Sequence, residues 1–213
     1  LVAGTSDVMR ILLVANTEIF ASDIPLLLAR ALRRIGCEVE FVDGRAPGLL
    51  QRAAVEAELA DTWWRLRLIS RQILKRAREF RPDVVLVYGS NSHLLPSTMG
   101  KLKARLGARI VLWEGNIQFW TWFQGAAVPH YDHCFVLDSY LLPLLSGPAG
   151  KRRVSFLGPG CDPDEHRVLD LSEADRAKYG SDVAFLGSGF PARIRLMETL
   201  AGFDLKLWGS GWD

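Results

Sequence analysis

The sequence predicts an α/β protein built on a doubly wound parallel sheet. Short apolar runs rich in β-branched residues recur along the chain, and longer helical stretches separate them. The runs are continuously apolar, as in parallel strands that are covered on both faces. Repeated alternation of strand and helix favours parallel pairing and right-handed crossovers. The predicted strands are 11–15, 39–42, 84–88, 110–113, 134–137, 154–157 and 183–186.

Helices are predicted between these strands, and several of their ends are legible. Gly36 and Gly107 stand where a helix is expected to end, directly before a strand. Pro82 ends the longest helix, because the residue before a proline is disfavoured in helical conformation. The predicted helices are 24–35, 49–80, 94–106, 117–124 and 140–145.

A polar connection divides the chain in two. The segment GPGCDPDEHRVLD follows the sixth strand, and a strand, a helix (PARIRLMETLAGF) and a further strand (LKLW) come after it. We predict an N-terminal domain over 8–160, a hinge over 161–180, and the beginning of a second domain over 181–213. A single strand–helix–strand unit cannot bury both faces of a sheet. We therefore expect the second domain to be incomplete in this chain.

Composition and missing motifs exclude several classes of function. The net charge of +2 does not argue for a nucleic-acid ligand. Three cysteines without a CxxC pair indicate neither a zinc site nor a disulfide framework, which fits a cytoplasmic setting. No GxGxxG motif follows the first strand, and no GxxxxGK[ST], GxSxG or HExxH motif occurs. We expect no bound cofactor and no metal.

Ligands of open parallel sheets bind beyond the carboxyl ends of the strands, and polar residues follow most of the predicted strands here. Such side chains suit a polyhydroxylated ligand, because each sugar hydroxyl both donates and accepts; ordinary turn and cap roles are the alternative. His93 and Glu114 are the catalytic candidates, and a histidine at a strand end is suited to be a general base. The residues predicted to line the acceptor side are Asn16, Thr17, Glu18, Ser90, Asn91, Asn116, Asp138 and Ser139.

A glycine-rich turn after the strand at 183–186 is the candidate phosphate-binding element. Small residues in GSGFPAR allow backbone N–H groups to approach an anion, and the following helix presents its positive end. A plain glycine turn with a solvated arginine is the alternative. The predicted donor-binding residues are Gly187, Ser188, Gly189, Arg193 and Gly209.

Two further features have alternative interpretations. The basic segment near 65–81 is either a solvated face or a peripheral contact with an anionic membrane. The aromatic segment that begins at Trp113 either packs in a core or stacks on sugar rings. The basic segment lacks interleaved aromatic residues, so we expect no nucleic-acid binding.

From residue 80 onwards the order and spacing of motifs resemble the CgeB-like (spore-maturation type) glycosyltransferases. The resemblance rests on RPDVVLVYG, YDHCFVLDSYLLPLL, VSFLGPGCDPDEHRV, SDVAFLGSGFPARIRLMETL and LKLWGSGWD. These relatives are GT-B enzymes with two Rossmann-like domains that face each other across a cleft. WEGN, at residues 113–116, stands where relatives carry an aspartate-rich segment.

The resemblance implies a metal-independent transfer of a sugar from a nucleotide-sugar donor to an acceptor of unknown class. It implies that the N-terminal domain binds the acceptor and that Gly187, Ser188 and Arg193 lie near the donor phosphates. The acidic segment that holds the donor ribose in relatives does not occur in this chain, so we expect the chain alone to be inactive or very weak. A non-catalytic binding or assembly module and a GT-B sugar-nucleotide epimerase are the alternatives.

Overall fold

A computed structural model describes residues 8–15, 24–44, 63–89, 94–114, 126–149 and 153–212. The chain divides into two compact units, residues 1–162 and 163–213. The described residues of the first unit contain six strands: β1 (Arg10–Ala15), β2 (Glu38–Asp43), β3 (Val84–Tyr88), β4 (Arg109–Glu114), β5 (His133–Val136) and β6 (Val154–Phe156). The α-helices among them are α1 (Ile24–Arg34), α2 (Trp63–Phe80), α3 (Pro96–Leu106) and α4 (Leu141–Ala149).

The six strands form one sheet in the order β2-β1-β3-β4-β5-β6, and every neighbouring pair is parallel. This confirms the predicted fold class. The chain moves from β1 outwards to β2 and then returns past β1 to β3, so the direction of travel reverses between β1 and β3. That reversal is the topological switch point of the sheet, beside which ligands of such folds bind.

The helices lie on the two faces that right-handed crossovers require. Ala29 of α1 packs with Ile11 and Leu13 on one face. Helices α2, α3 and α4 pack on the opposite face, against Leu12 and Val14 and the inward-facing residues of β3 to β6. Both faces of β1 are therefore buried, which explains why its sequence is apolar without alternation.

The predicted ends of elements follow from local chemistry. Gly36 has φ +90°, and its N–H donates to the carbonyl of Arg33 while that of Cys37 donates to Leu32. These two bonds form the Schellman motif that ends α1. Gly107, at φ +67°, ends α3 in a similar left-handed conformation.

Several predicted boundaries differ from the structure. Helix α3 begins at Pro96 rather than 94, α4 continues to Ala149 rather than 145, and β6 ends at Phe156 rather than 157. The predicted helix 49–80 is described only from Trp63 onwards, and the predicted helix 117–124 lies outside the described residues. A 3₁₀ turn, Val128–His130, precedes β5 and was not predicted.

The second unit contains α5 (Glu173–Tyr179), β7 (Val183–Leu186), α6 (Pro191–Glu198) and β8 (Leu205–Trp208), and β7 pairs with β8 in parallel. Helix α5 lies within the segment predicted to be a hinge. The start of this helix is marked in the sequence by Ser172, which is its N-cap residue. The Ser172 hydroxyl accepts a hydrogen bond from the N–H of Asp175 at 3.1 Å, as expected for an S-x-x-D sequence at a helix start. The sequence predicted a helix through 203, but α6 ends at Glu198.

The two-stranded sheet leaves large apolar side chains in solvent. Leu186 of β7 is 84% exposed, and Phe203, between α6 and β8, is 56% exposed. A single helix covers only one face of a parallel pair.

No helix among the described residues is long and apolar enough to cross a bilayer.

Candidate functional site

The candidate acceptor side lies at the carboxyl end of the six-stranded sheet, where all six parallel strands finish. Ala15 is in register with Tyr88, and Tyr88 is in register with Trp113. The carboxyl ends of β1, β3 and β4 therefore lie side by side. Seven predicted site residues that follow these strands lie outside the described residues: Asn16, Thr17, Glu18, Ser90, Asn91, His93 and Asn116.

Glu114 is the last residue of β4, and its side chain is buried, with 1% of its surface exposed. It follows Leu112 by two positions and shares that residue's face, because side chains alternate along a strand. Burial raises the pKa of the Tyr88 phenol, and the negative charge of Glu114 raises it further. The carboxylate therefore acts electrostatically at the point where the chain leaves β4.

Two buried groups that the sequence did not identify lie within the electrostatic reach of Glu114. Burial raises the pKa of the Cys134 thiol to about 12, an effect that Arg153 opposes and Glu114 reinforces. Tyr131 is fully buried, and its pKa is raised by burial first and also by the charges of Cys134 and Glu114. Both groups are protonated at neutral pH, so they are potential hydrogen-bond donors rather than bases. In the sheet, Cys134 pairs with Leu112, on the same face as Glu114, and this pairing follows from the tertiary structure rather than from a local sequence pattern.

The Tyr131 side chain also interacts with the backbone of Leu94, which opposes the rise in its pKa. Leu94 is the first described residue after the β3–α3 loop that carries Ser90, Asn91 and His93. The Tyr131 phenol thus connects Leu94 to the buried side chains of Cys134 and Glu114. No sequence pattern indicated this contact, because it joins residues far apart in the chain.

Trp113 packs within the first unit. Its ring meets that of Tyr88 edge to face, with centroids 5.4 Å apart, and its indole N–H donates to the carbonyl of Leu157 at 3.2 Å. The ring therefore joins the ends of β3 and β4 to the chain that leaves β6. The packing alternative accounts for Trp113, whereas the other aromatic residues of this segment all lie outside the described residues.

Asp138 and Ser139 follow β5, and both are exposed. The Asp138 carboxylate accepts a hydrogen bond from the N–H of Tyr140 at 2.9 Å, and its carbonyl accepts one from Leu141 at 3.0 Å. The backbone carbonyl of Ser139 accepts from Leu142. Asp138 therefore shapes the turn into α4, and a role of either residue in acceptor binding stays a prediction.

The predicted donor loop of the second unit packs backbone against backbone. The N–H groups of Gly187 and Gly189 donate to the carbonyls of Trp208 and Ser210, each at 2.8 Å. The indole of Trp212 donates to the carbonyl of Gly187 at 2.9 Å. These glycines are needed because the two loops touch: a Cβ at Gly189 would overlap the carbonyl oxygen of Gly211.

This packing changes which groups can meet an anion. Since two of the loop's N–H groups already donate within the unit, they are not available for a phosphate in this conformation. Arg193 donates to the carbonyl of Ser188 at 2.9 Å and lies over the rings of Phe185 and Phe190. Gly209, at φ +136°, packs so closely on Gly187 that a Cβ at position 209 would overlap the carbonyl oxygen of Gly187. The five predicted donor residues lie on or beside one pair of loops, and their binding role stays a prediction.

Among the described residues, no group of three or more histidine, cysteine, aspartate or glutamate side chains is arranged to hold a metal ion. The three cysteines form no disulfide; Cys134 is buried, Cys37 is half-buried and Cys161 is exposed.

Comparisons with solved structures find similar folds at low sequence identity. UDP-N-acetylglucosamine 2-epimerase from Rickettsia bellii matches with a TM-score of 0.56 and 11% identity, over 94% of this chain and 62% of that chain. The glycosyltransferase SnogD from Streptomyces nogalater matches with 0.47 and 20% identity, over 94% and 66%. LpCGTa, solved in complex with UDP, matches with 0.44 and 14% identity, over 92% and 63%.

The likeness to the epimerase concerns the fold, which the two proteins share over nearly the whole of this chain. The chain spans 62% of the length of the epimerase and 66% of that of SnogD. No protein-family model matches the sequence. A search of curated protein sequences also finds no match.

Proposed function

We propose that this chain is part of a GT-B glycosyltransferase that transfers a sugar from a nucleotide-sugar donor to an acceptor. The observation that carries the proposal is the fold shared over 94% of the chain with a UDP-N-acetylglucosamine 2-epimerase, a protein whose name states a nucleotide-sugar substrate. The order of motifs that resembles CgeB-like glycosyltransferases supports transfer as the reaction. The first unit is assigned the acceptor and the second unit the donor.

The chemistry proposed for the first unit uses the carboxyl end of its sheet. His93 is assigned the general base that takes the proton of the acceptor hydroxyl. Glu114 is buried, so it is assigned an electrostatic role: its negative charge would favour the protonated form of a base that is brought close to it. A base with a raised pKa holds the transferred proton more firmly.

The chemistry proposed for the second unit is stabilisation of the leaving diphosphate. Arg193 would turn from the carbonyl of Ser188 towards the phosphates, where a charge-assisted bond is stronger than its present contact. The N-terminus of α6, which begins at Pro191, adds a favourable partial charge. No metal or cofactor is part of this proposal.

Epimerisation of a nucleotide sugar is the second candidate, because the epimerase is the compared protein with a TM-score above 0.5. The two reactions give different products from one assay. The full-length protein is incubated with a panel of labelled nucleotide sugars, with and without an extract that supplies acceptors. Label moving to the acceptor pool with release of the nucleotide supports transfer, whereas a new nucleotide sugar of unchanged mass supports epimerisation.

Calorimetry of the same protein with UDP and with other nucleoside diphosphates tests donor binding separately. If neither reaction occurs and no nucleotide binds, both enzyme proposals are wrong, and the alternative of a non-catalytic binding module is favoured.

A further inference from the structure

A cavity of about 280 Å³ opens between α2 and α3, on the side of the sheet opposite to α1. Its described lining comes from residues 67–74 in the middle of α2 and from the N-terminal half of α3 with the residue before it. Its apolar wall includes Leu74 and Leu95. The described polar residues of its lining are Arg67, Ser70, Arg71, Ser97, Thr98 and Lys101.

The described residues of this lining carry charge of one sign. Three of them are basic, Arg67, Arg71 and Lys101, and none of the described lining residues is acidic. Within the part of the chain that the structure describes, none of the three makes an ion pair or hydrogen bond. Other basic residues of the same helices do: Arg76 of α2 pairs with Glu79 at 3.5 Å, and Lys103 of α3 pairs with Asp132 at 2.7 Å. The cavity therefore gathers positive charge that its described surroundings do not balance.

Two residues with hydroxyl groups also line the cavity. Ser70 is 5% exposed and Thr98 is 2% exposed. Neither side chain hydrogen-bonds to any described residue. Ser146, also in a helix, donates to the carbonyl of Leu142. The Ser70 and Thr98 hydroxyls are thus available to a group that enters the cavity.

The start of α3 also adds to the positive potential in the cavity. The helix begins at Pro96, and Leu95 at its N-cap supplies no side-chain hydrogen bond. The partial positive charge of a helix N-terminus favours an anion beside the first turn, which here carries Ser97 and Thr98. Cations, hydroxyl donors and a helix terminus thus converge on one cavity.

We propose that this cavity binds a phosphoryl group. A phosphate accepts several hydrogen bonds and carries up to two negative charges, so it satisfies both the hydroxyls and the basic side chains. The volume exceeds that of a single phosphate, which leaves room for part of the molecule that carries it. The source is either a soluble phosphate compound or the headgroup of an anionic lipid. The proposal does not depend on the glycosyltransferase assignment.

Calorimetry of the full-length protein with pyrophosphate at physiological ionic strength tests the site. The variant Arg71→Ala/Lys101→Ala removes two of its cations, and Arg78→Ala/Arg105→Ala is the matched control, with the same charge change on the same two helices outside the cavity. We expect the Kd to rise about tenfold or more in the first variant, since hydrogen bonds to charged groups contribute strongly. The control stays within about twofold of the wild type, because distant exposed charges are screened.

A third variant, Thr98→Val, keeps the shape of the side chain and removes its hydroxyl. A weaker affinity for pyrophosphate in this variant supports a bound anion inside the cavity rather than a diffuse attraction. Urea denaturation of each variant verifies that it is folded before binding is compared.

Vesicles distinguish the two sources. Phosphatidylcholine vesicles with and without phosphatidic acid are mixed with the protein and recovered by flotation. Loss of flotation with phosphatidic acid in Arg71→Ala/Lys101→Ala, but not in the control, identifies a lipid headgroup. Equal flotation of both variants, together with the tenfold loss for pyrophosphate, identifies a soluble phosphate compound. Equal losses in both variants in both assays, or no binding of either probe by the wild type, would overturn the proposal.

Discussion

The guanidinium of Arg30 donates from Nε to Oδ2 of Asp162 at 2.8 Å, a contact between residues 132 positions apart in the chain. Arg34, one turn further along α1, donates to Oδ1 of the same carboxylate at 3.0 Å. The Asp162 side chain is only 3% exposed, whereas each arginine is 39% exposed. Asp162 is also the last residue of the first unit. The chain that leaves β6 is therefore tied to α1 immediately before the second unit begins.

Replacing Asp162 with asparagine is expected to destabilise the first unit by about 2 kcal/mol, because two guanidinium groups lose a buried, charged acceptor. Urea denaturation measures the change. Glu38→Gln is the control, since the Arg10–Glu38 pair has a similar distance of 3.0 Å but an exposed carboxylate. Its loss should stay below about 1 kcal/mol. Equal losses of stability at both positions would show that burial of the Asp162 carboxylate does not strengthen its ion pairs.

Replacing Glu114 with glutamine is expected to lower the pKa of Tyr88, because the neighbouring negative charge contributes to its rise. Burial still contributes, so the pKa remains above its ordinary value. The ultraviolet absorbance of tyrosinate measures this, with Tyr88→Phe identifying the transition. Glu79→Gln removes an exposed charge at the other end of the sheet and should leave the Tyr88 titration unchanged.

The same Glu114→Gln variant tests the proposed electrostatic role in catalysis. If the carboxylate raises the pKa of the base, the acidic limb of the rate profile shifts to lower pH. The maximal rate then falls, by about tenfold or more. An unchanged profile together with an altered Tyr88 titration would show that Glu114 has no part in the reaction.

Asp132 is expected to contribute stability that depends on pH. Burial raises the pKa of its carboxyl, but hydrogen bonds from Lys103 and from the N–H of Ile110 outweigh this, and the pKa is lowered. A lowered pKa in the folded state stabilises the protein above the unfolded value of about 4. That stability is lost as pH falls from there through the folded pKa.

Urea midpoints of the wild type and Asp132→Asn at pH 7 and pH 3 measure this effect. The variant should be less stable at pH 7 by no more than about 1 kcal/mol, since both side chains of the Lys103–Asp132 pair remain more than a third exposed to solvent. The difference between the two proteins should narrow at pH 3. A difference that widens at pH 3 would show that the sign is wrong.

Gly189→Ala is expected to destabilise the second unit by about 1–3 kcal/mol, because the added methyl group would overlap the backbone of Gly211. The matched control is Gly202→Ala, where a methyl group meets nothing within 4 Å. Fluorescence of Trp208 and Trp212 follows unfolding of this unit in a background without the other tryptophans. A neutral effect at Gly189 would mean that the two loops do not pack as described.

Strand positions were the most predictable part of the fold. The strands Val84–Tyr88 and Val183–Leu186 coincide with their predicted ranges, because a buried parallel strand needs a short apolar run and little else. Helix ends at Gly36 and Gly107 were also predictable, since each needs a left-handed conformation that glycine adopts without strain. Helix α5 was missed because its side chains are mostly exposed and it has no apolar stripe.

The candidate site was less predictable than the fold. The sequence identified Glu114 from its position after a strand, but its burial and its effect on Tyr131 and Cys134 depend on strand pairing and on helices packed above them. The sequence also identified the glycines of the donor loop, for which it predicted backbone contacts with a phosphate. In the structure, the N–H groups of Gly187 and Gly189 contact the neighbouring loop instead.

The sequence by itself determined which segments become strands, that they lie parallel, and where α1, α2 and α3 end, since these features depend on side-chain periodicity and on the conformational limits of single residues. Only the tertiary structure decided the strand order β2-β1-β3-β4-β5-β6, the ion pair between Arg30 and Asp162, and the basic cavity between α2 and α3. These features join residues distant in sequence, and their energies come from burial and from charges brought together by packing, which no local pattern records.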